Sequence, residues 1–244
     1  MNNKSQFKNW QANKIMHSLP HQEKIWGKGI NDLSIISRKD NRIIVTKGKK
    51  YYVDFMSCSY LGLESNKRLS DAAKSAIDLY GVQYSAARTR AKCSIFDELD
   101  ELLNLIFKNS FTITFNSVGA GHLGILPLLG SGMLPGYPIS DSGIVWILDK
   151  TSHASIQILQ GIMNQFGVIK RIDFSNISDI EIEAKQSSAE RKTPIFISDS
   201  LGSMGGASPI KTISQLAEKY NGYIYPMDFK MHRGGKGANP REHR

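Results

Sequence analysis

Hydrophobic positions along the central part of the chain follow two periods. Apolar or small residues recur every three or four positions in several stretches, which is the spacing of an amphipathic helix. In the first of them Gly81 is placed to end the helix. The predicted helices are "RLSDAAKSAIDLYG" (68–81), "IFDELDELLNLIF" (95–107), "VGAGHLGILPLL" (118–129), "SIQILQGIMNQFG" (155–167) and "KTISQLAEKYNG" (211–222).

Between these helices lie short runs rich in β-branched and aromatic residues, which predict strands. They are "FTITFNS" (111–117), "IVWIL" (144–148, ended by Asp149), "TPIFISDS" (193–200) and "GYIYPMD" (222–228). The Gly, Pro and Ser content of residues 131–143 predicts a loop. Strands that alternate with helices predict an α/β fold with a mostly parallel sheet flanked by helices.

The two ends of the chain differ from this centre in composition. Residues 1–50 carry 11 Lys/Arg against 3 Asp/Glu, residues 229–244 carry 5 against 1, and residues 51–228 carry 15 against 18. We therefore predict a basic N-terminal arm over 1–50 with one short helix, a folded domain over 51–228, and a basic, unstructured tail over 229–244. Such basic ends are more typical of solvated arms than of a nucleic-acid surface, so nucleic acid is not an expected partner.

Composition argues against a disulfide-rich, zinc-binding, secreted or membrane-spanning protein. The only cysteines, Cys58 and Cys93, cannot make a disulfide framework, and the chain has no Cys-x-x-Cys zinc spacing. The N-terminus has no apolar core of signal-peptide length, and no apolar run approaches the roughly 20 residues of a bilayer span. We expect a cytoplasmic protein without a membrane partner.

Polar residues follow each predicted strand, where parallel sheets place their ligand crevice. They are Asn116 and Ser117, residues 149–153, residues 199–203, and Asp228. "NSVGAGHLG" (116–124) could cradle a phosphate at a helix N-terminus, although a tight packing turn gives the same pattern. His153 could stack on a flat ligand or act as a base, or be structural; the other histidines (17, 21, 122, 232, 243) give no metal set.

The last two groups of candidate residues also allow a purely structural role when each is considered alone. Ser200 and Ser203 are the polar side chains of a wide loop. Asp228 could pair with a ligand cation or cap the next helix.

Taken in chain order, several stretches carry the motifs of one family. They are "SYLGL" (59–63), "YGVQYSAARTR" (80–90), "FDELDELL" (96–103), "FNSVGAGHLG" (115–124), "DKTSHASI" (149–156), "DSLGSMGGASPI" (199–210) and "LAEKYNGYIYPMD" (216–228). They resemble the N-terminal arm and much of the large domain of the α-oxoamine synthases, which are pyridoxal-phosphate (PLP) enzymes of the aminotransferase class I/II fold type I. The resemblance covers about three quarters of the chain.

The resemblance implies a role for six residues around PLP. Backbone N–H groups of Ser117, Val118 and Gly119 would cradle its phosphate. His153 would lie against the pyridine ring, Ser203 would hydrogen-bond near the ring hydroxyl, and Asp228 would pair with the pyridinium nitrogen; His153 and Asp228 would be the catalytic residues. The implied reaction joins an amino acid to an acyl thioester and releases coenzyme A, and the intact family forms homodimers.

After Asp228 the motifs stop. Met227 and Lys230 stand where the family has its first Asp and its His, and Lys230 and Lys236 lie too close to the strand to replace the family's Schiff-base lysine. We therefore expect a truncated large domain without the C-terminal small domain, catalytically incomplete as it stands. The alternatives are an aminotransferase-like protein, a PLP-binding module without catalysis, and an interaction protein that uses its basic ends.

Overall fold

The computed structural model describes residues 4–28, 33–40, 42–59, 61–108, 111–202 and 206–227. The chain divides into two compact units, Met1–Asp97 and Glu98–Arg244. The division at residues 50 and 228 drawn from the sequence stays a prediction, and its tail, 229–244, lies outside the described residues.

The first unit contains a long helix and a small antiparallel sheet. Helix α1 (Lys4–Gly27) is followed by β1 (Ile35–Arg38), β2 (Ile43–Thr46) and β3 (Tyr51–Val53), which pair in the order β1-β2-β3. Asp40 shapes the turn between β1 and β2, because its Oδ1 accepts hydrogen bonds from the N–H groups of Arg42 and Ile43, both at 2.8 Å. The region predicted as an arm with one short helix thus holds a longer helix and two strands.

Helix α2 (Lys67–Tyr80) confirms the first predicted helix. Asn66 caps its start by accepting a hydrogen bond from the N–H of Arg68 at 3.0 Å. Gly81 ends it as predicted, with φ of 81°, and its N–H donates to the carbonyl of Ile77. The second predicted helix is α3 (Ile95–Ile106), which begins in the first unit and ends in the second.

The second unit is built on a four-stranded parallel sheet in the order β5-β4-β6-β7. The two outer strands of this sheet are β5 and β7. Its elements follow one another as α4 (Val118–Gly130), β4 (Ile144–Asp149), α5 (Ala154–Gln157), α6 (Gln160–Met163), β5 (Gly167–Ile172), α7 (Ile177–Ala189), β6 (Thr193–Asp199), α8 (Ile210–Lys219) and β7 (Tyr223–Met227). This is the predicted α/β architecture.

Alternate residues of the two central strands, β4 and β6, pack into two separate cores. On one face Trp146, Leu148 and Ile197 pack with residues of α4, α5 and α6. On the other face Ile147 and Phe196 pack with residues of α7 and α8. Both strands are buried throughout, which explains why they read as continuous apolar runs in the sequence.

Two predictions of secondary structure are wrong. Residues 111–115 pair with no strand of the described chain, and Thr112 instead hydrogen-bonds to Oδ1 of Asn104. Strand propensity reflects the fit to a neighbouring pleated surface, and here no such neighbour is present among the described residues. The helix predicted over 155–167 is split into α5 and α6, because the N–H groups of Leu159 and Ile162 bond to carbonyls three residues back, which tightens the turns.

Two further elements, β5 and α7, were not predicted. Lys170 and Arg171 interrupt the apolar pattern of β5, an outer strand of the sheet that is only partly buried. No helix among the described residues is both long and apolar enough to cross a membrane.

Candidate functional site

The carboxyl ends of β4, β6 and β7 lie side by side. These strands are parallel and end at Asp149, Asp199 and Met227. Asp199 is paired with Met227, and the N–H of Ser200 continues this pairing by donating to the carbonyl of Met227 at 3.1 Å. The polar segments predicted after these strands therefore start from one edge of the sheet, where open α/β sheets bind ligands.

The loop between β4 and α5 carries His153 and is held on both of its sides. The backbone N–H of His153 donates to Oδ2 of Asp199 at 2.8 Å. Its ring nitrogen Nδ1 accepts from the N–H of Ser155 at 3.2 Å and lies 2.9 Å from the Ser155 hydroxyl oxygen. Because Nδ1 accepts a backbone N–H, it carries no proton, and the ring proton is on Nε2. The half-buried ring is thus fixed in orientation.

A buried network holds the rest of this loop. Oδ2 of Asp149 accepts hydrogen bonds from the hydroxyls of Thr151 at 2.9 Å and Ser198 at 3.0 Å. The hydroxyl of Ser198 also lies 2.7 Å from that of Ser208. Gln157 adds a second anchor, since its Nε2 donates to three carbonyl oxygens of the loop, at residues 149, 150 and 152. The loops after β4 and β6 are therefore tied together.

Helix α4 begins at the motif predicted to cradle a phosphate. Ser117 is its N-cap in an extended conformation, and its hydroxyl accepts from the N–H of Ala120 at 3.1 Å. The N–H groups of Val118 and Gly119 belong to the first turn, which has no intrahelical acceptors. A Cβ added at Gly119 would meet nothing within 4 Å, so the first turn is open on that side. Free N–H groups and the helix dipole favour an anion there.

One turn further along α4, His122 is 5% exposed and contacts Tyr225 of β7. Its Nδ1 lies 2.9 Å from the Tyr225 hydroxyl oxygen, and the two rings meet edge to face with centroids 5.7 Å apart. Burial lowers the pKa of His122 below its ordinary value, and the neighbouring His153 lowers that pKa further. Burial also raises the pKa of Tyr225. Both side chains are therefore neutral near pH 7.

Two buried polar atoms in this region have no hydrogen-bond partner among the described residues: Nε2 of His122 and the hydroxyl oxygen of Ser152. Buried polar atoms are nearly always paired, so these two atoms are candidates for bonding to a group that the described residues do not include. Within the described ranges no cluster of His, Cys, Asp or Glu could hold a metal ion. The arrangement can bind an anion at the start of α4 and a flat, polar molecule beside His153.

Four of the six residues predicted for the site lie within the described chain. Ser117, Val118 and Gly119 form the start of α4, and His153 follows β4. Ser203 and Asp228 lie outside the described residues. The roles of all six remain predictions.

Sequence reasoning gave no individual role to four other residues of the region, namely Asp149, Asp199, His122 and Tyr225. The two aspartates were visible only as strand-ending residues. His122 shares the helical spacing of the buried Leu126 and Leu129, which indicates the inner face of α4. Tyr225, 103 residues away, could not be matched to it from the sequence.

Comparisons with known proteins give a consistent family. No family model matches the chain. The 8-amino-7-oxononanoate synthase of Thermosipho melanesiensis is 31% identical over 185 residues, which cover 74% of this chain and 43% of that protein. The 8-amino-7-oxononanoate synthase 1 of Bacillus subtilis is 30% identical over 182 residues, with coverages of 74% and 43%. The chain is a homologue of the α-oxoamine synthases.

The α-oxoamine synthase fold is matched as well. Serine palmitoyltransferase from S. paucimobilis, solved with PLP and myriocin bound, superimposes with a TM-score of 0.70 at 20% identity, covering 88% of this chain and 52% of that one. This likeness bears out the fold type I large domain predicted from the sequence. The chain spans about half the length of the relatives it matches.

Proposed function

We propose that this chain provides the cofactor-binding edge of a PLP-dependent acyltransferase of the α-oxoamine synthase type. In the proposed reaction of the whole protein, the Cα of an amino acid gives up its proton, or its carboxylate as CO2, and forms a bond to the acyl carbon of a thioester. The carbon–sulfur bond breaks, and coenzyme A leaves as the thiol. The proposed partners are therefore an amino acid, an acyl thioester and, as the family resemblance implies, a second copy of the chain.

The observation that carries this proposal is the fixed ring of His153 at the carboxyl edge of the sheet. Its backbone is held by Asp199 and its Nδ1 by Ser155, so one flat face is presented in a defined direction. A planar, polarisable ring of this kind suits stacking against an aromatic ligand. The same Asp-x-x-x-His-Ala-Ser pattern in the sequence carries the family resemblance.

The start of α4 fits the phosphate of the cofactor. Val118 and Gly119 offer backbone N–H groups, and the positive end of the helix dipole attracts the phosphate charge. The hydroxyl of Ser117 is already used to cap Ala120, so the backbone rather than this side chain is expected to contribute most. The unpartnered Nε2 of His122 and hydroxyl of Ser152 add two polar atoms that a bound molecule can satisfy.

PLP bound here would supply an electron sink that stabilises negative charge at the substrate Cα. In this proposal Asp228 keeps the ring nitrogen protonated and Ser203 hydrogen-bonds near the ring hydroxyl, as the resemblance implies. The aminotransferase alternative is not favoured, since the relatives that match at 29–31% identity are synthases.

The experiment that tests this function is a titration of the full chain with PLP. Binding is monitored by the change in protein fluorescence and in PLP absorbance. We expect saturable binding, with inorganic phosphate as a competitor and pyridoxal as a weaker ligand. A chain that shows no saturable binding, or only scattered reaction with many lysines, would contradict the proposal.

Two variants of His153 separate stacking from folding. His153→Asn keeps a side chain that can cap α5 and removes the ring. His153→Phe keeps a flat ring and loses the cap. We expect His153→Asn to bind PLP about three- to tenfold more weakly, from the loss of stacking, and His153→Phe to bind better than His153→Asn. His17, exposed on α1, gives the matched control as His17→Asn.

A further inference from the structure

Among the described residues, one ring nitrogen of His122 has a hydrogen-bond partner and the other has none. Nδ1 is paired with the Tyr225 hydroxyl at 2.9 Å, while Nε2 is buried and has no partner among the described residues. Turning the ring over would place a carbon atom against the Tyr225 hydroxyl and lose that bond. The contact with Tyr225 therefore fixes Nε2 in one direction, where only a group outside the described residues can complete its bonding.

His122 lies on α4, the helix whose start is proposed to hold phosphate, and it contacts β7, the strand that precedes Asp228 in the sequence. Val118 lies four residues earlier on the same side of α4, at the turn proposed to hold phosphate. Tyr225, which is on β7, comes three residues before Asp228 in the sequence. His153 is close enough to lower the pKa of His122 further than burial alone does. His122 thus contacts β7, lies near His153 and shares a face of α4 with Val118.

We propose that His122 is a further ligand-binding residue of this site, whose Nε2 forms a hydrogen bond to bound PLP, and that Tyr225 is the positioning residue that aims it. This inference rests on the proposed function. In the tautomer that this role requires, the Tyr225 hydroxyl donates to Nδ1, and Nε2 carries the ring proton and acts as the donor. Donation suits an oxygen-rich ligand, because the oxygens of PLP are mainly acceptors.

Two substitutions of His122 separate this role from a structural one. In His122→Asn the side-chain amide can occupy the place of Nδ1 and keep the contact with Tyr225, but nothing replaces Nε2. In His122→Gln the longer side chain brings its amide to the place of Nε2 and gives up the contact with Tyr225. Tyr225→Phe removes only the hydroxyl. Each full-length variant is titrated with PLP and followed by fluorescence, and its thermal unfolding is measured in parallel.

We expect His122→Asn to bind PLP about tenfold more weakly than the unmodified chain while it unfolds at a similar temperature. His122→Gln retains binding to within about threefold, and Tyr225→Phe lies between the two. If His122 only joins α4 to β7, the order is reversed: His122→Asn binds PLP normally, and His122→Gln is the less stable and weaker-binding variant. That result would overturn the inference.

The same titrations distinguish failure of this inference from failure of the proposed function. An unmodified chain that binds no PLP would overturn the proposed function, and the role of His122 with it. Normal binding by the unmodified chain together with equal affinity in His122→Asn would overturn only the role of His122. Should His122→Asn unfold, Tyr225→Phe still decides, since it keeps Nε2 and loses only the contact that aims it: PLP binding weaker than in the unmodified chain supports the positioning role, and unchanged binding overturns it.

Discussion

The carboxylate of Asp199 accepts a hydrogen bond of 2.8 Å from the backbone N–H of His153, although 46 residues separate them in the chain. The bond joins the end of β6 to the loop after β4, its neighbour in the sheet. Asp199 is 2% exposed, so the bond forms in a poorly solvated place, where its loss would leave a buried N–H without its partner. This hydrogen bond fixes the backbone at His153, from which the ring projects.

Replacing Asp199 should therefore loosen the His153 loop. We expect Asp199→Ala to lower the free energy of unfolding by about 1–3 kcal/mol, the range for leaving a buried donor without its partner, and to weaken PLP binding as the ring loses its fixed direction. Urea denaturation and PLP titration measure the two effects. Asp173 is the matched control, because it also accepts a backbone N–H, from Ser175 at 3.0 Å, but in an exposed turn. An Asp173→Ala effect as large as that of Asp199→Ala would show that burial of the acceptor is unimportant.

The phosphate role of the start of α4 can be tested by removing one N–H group. Proline is favoured at the first position of a helix, and Ser117, with φ of −157° and ψ of 157°, already has the extended conformation that a following proline requires. We expect Val118→Pro to preserve thermal stability but to weaken PLP and inorganic phosphate binding about tenfold. Val118→Ala keeps the N–H and serves as the control. Unchanged phosphate affinity in Val118→Pro would show that the N–H of Val118 does not bind the phosphate.

Burial of His122 predicts a loss of stability in mild acid. Its pKa is lowered in the folded chain from an ordinary value of 6.5, by burial first and by His153 second. The unfolded chain consequently binds a proton more readily, so stability declines as the pH falls through 6.5 and below. Tyr225, the other titratable group against the ring, stays neutral over this range because its pKa is raised. We expect Tm to decrease between pH 7.5 and 5.5, and to decrease less in His122→Asn; equal slopes would argue against a depressed pKa.

Close packing between β6 and β7 predicts that Gly222 cannot carry a side chain. A Cβ there would lie 2.3 Å from the carbonyl oxygen of Pro194, a backbone atom of the paired strand. We expect Gly222→Ala to cost about 1–3 kcal/mol in the free energy of unfolding, measured in urea. At Gly161, in α6, a Cβ meets nothing within 4 Å, so Gly161→Ala should be neutral or stabilising by up to about 1 kcal/mol. Similar costs at both positions would show that the strand contact is looser than described.

The features that the sequence predicts well are those decided by local pattern. β4 and β6 are buried on both faces, so residues 144–148 of β4 and 194–197 of β6 form uninterrupted apolar runs. The end of α2 followed from Gly81, whose positive φ needs no distant partner. Helix α4 was found for a similar reason, because Ser117 caps its own first turn.

The features that the sequence misses depend on residues far apart in the chain. Phe111, Ile113 and Phe115 alternate as a strand should, yet pairing needs a neighbour that no local pattern reveals. Lys170 and Arg171 are compatible with β5 only because that strand lies at the outside of the sheet. The bond of His122 to Tyr225 likewise joins two residues whose separate positions carry no signal of each other.

The central claim is that the carboxyl edge of the β4-β6-β7 sheet binds PLP, and a crystal structure of the full chain grown with PLP tests it most directly. The account predicts electron density with the phosphate against the N–H groups of Val118 and Gly119 and the ring against His153, within hydrogen-bond reach of Nε2 of His122. Density for PLP at other positions only, or none at this edge under conditions that saturate binding in solution, would contradict it.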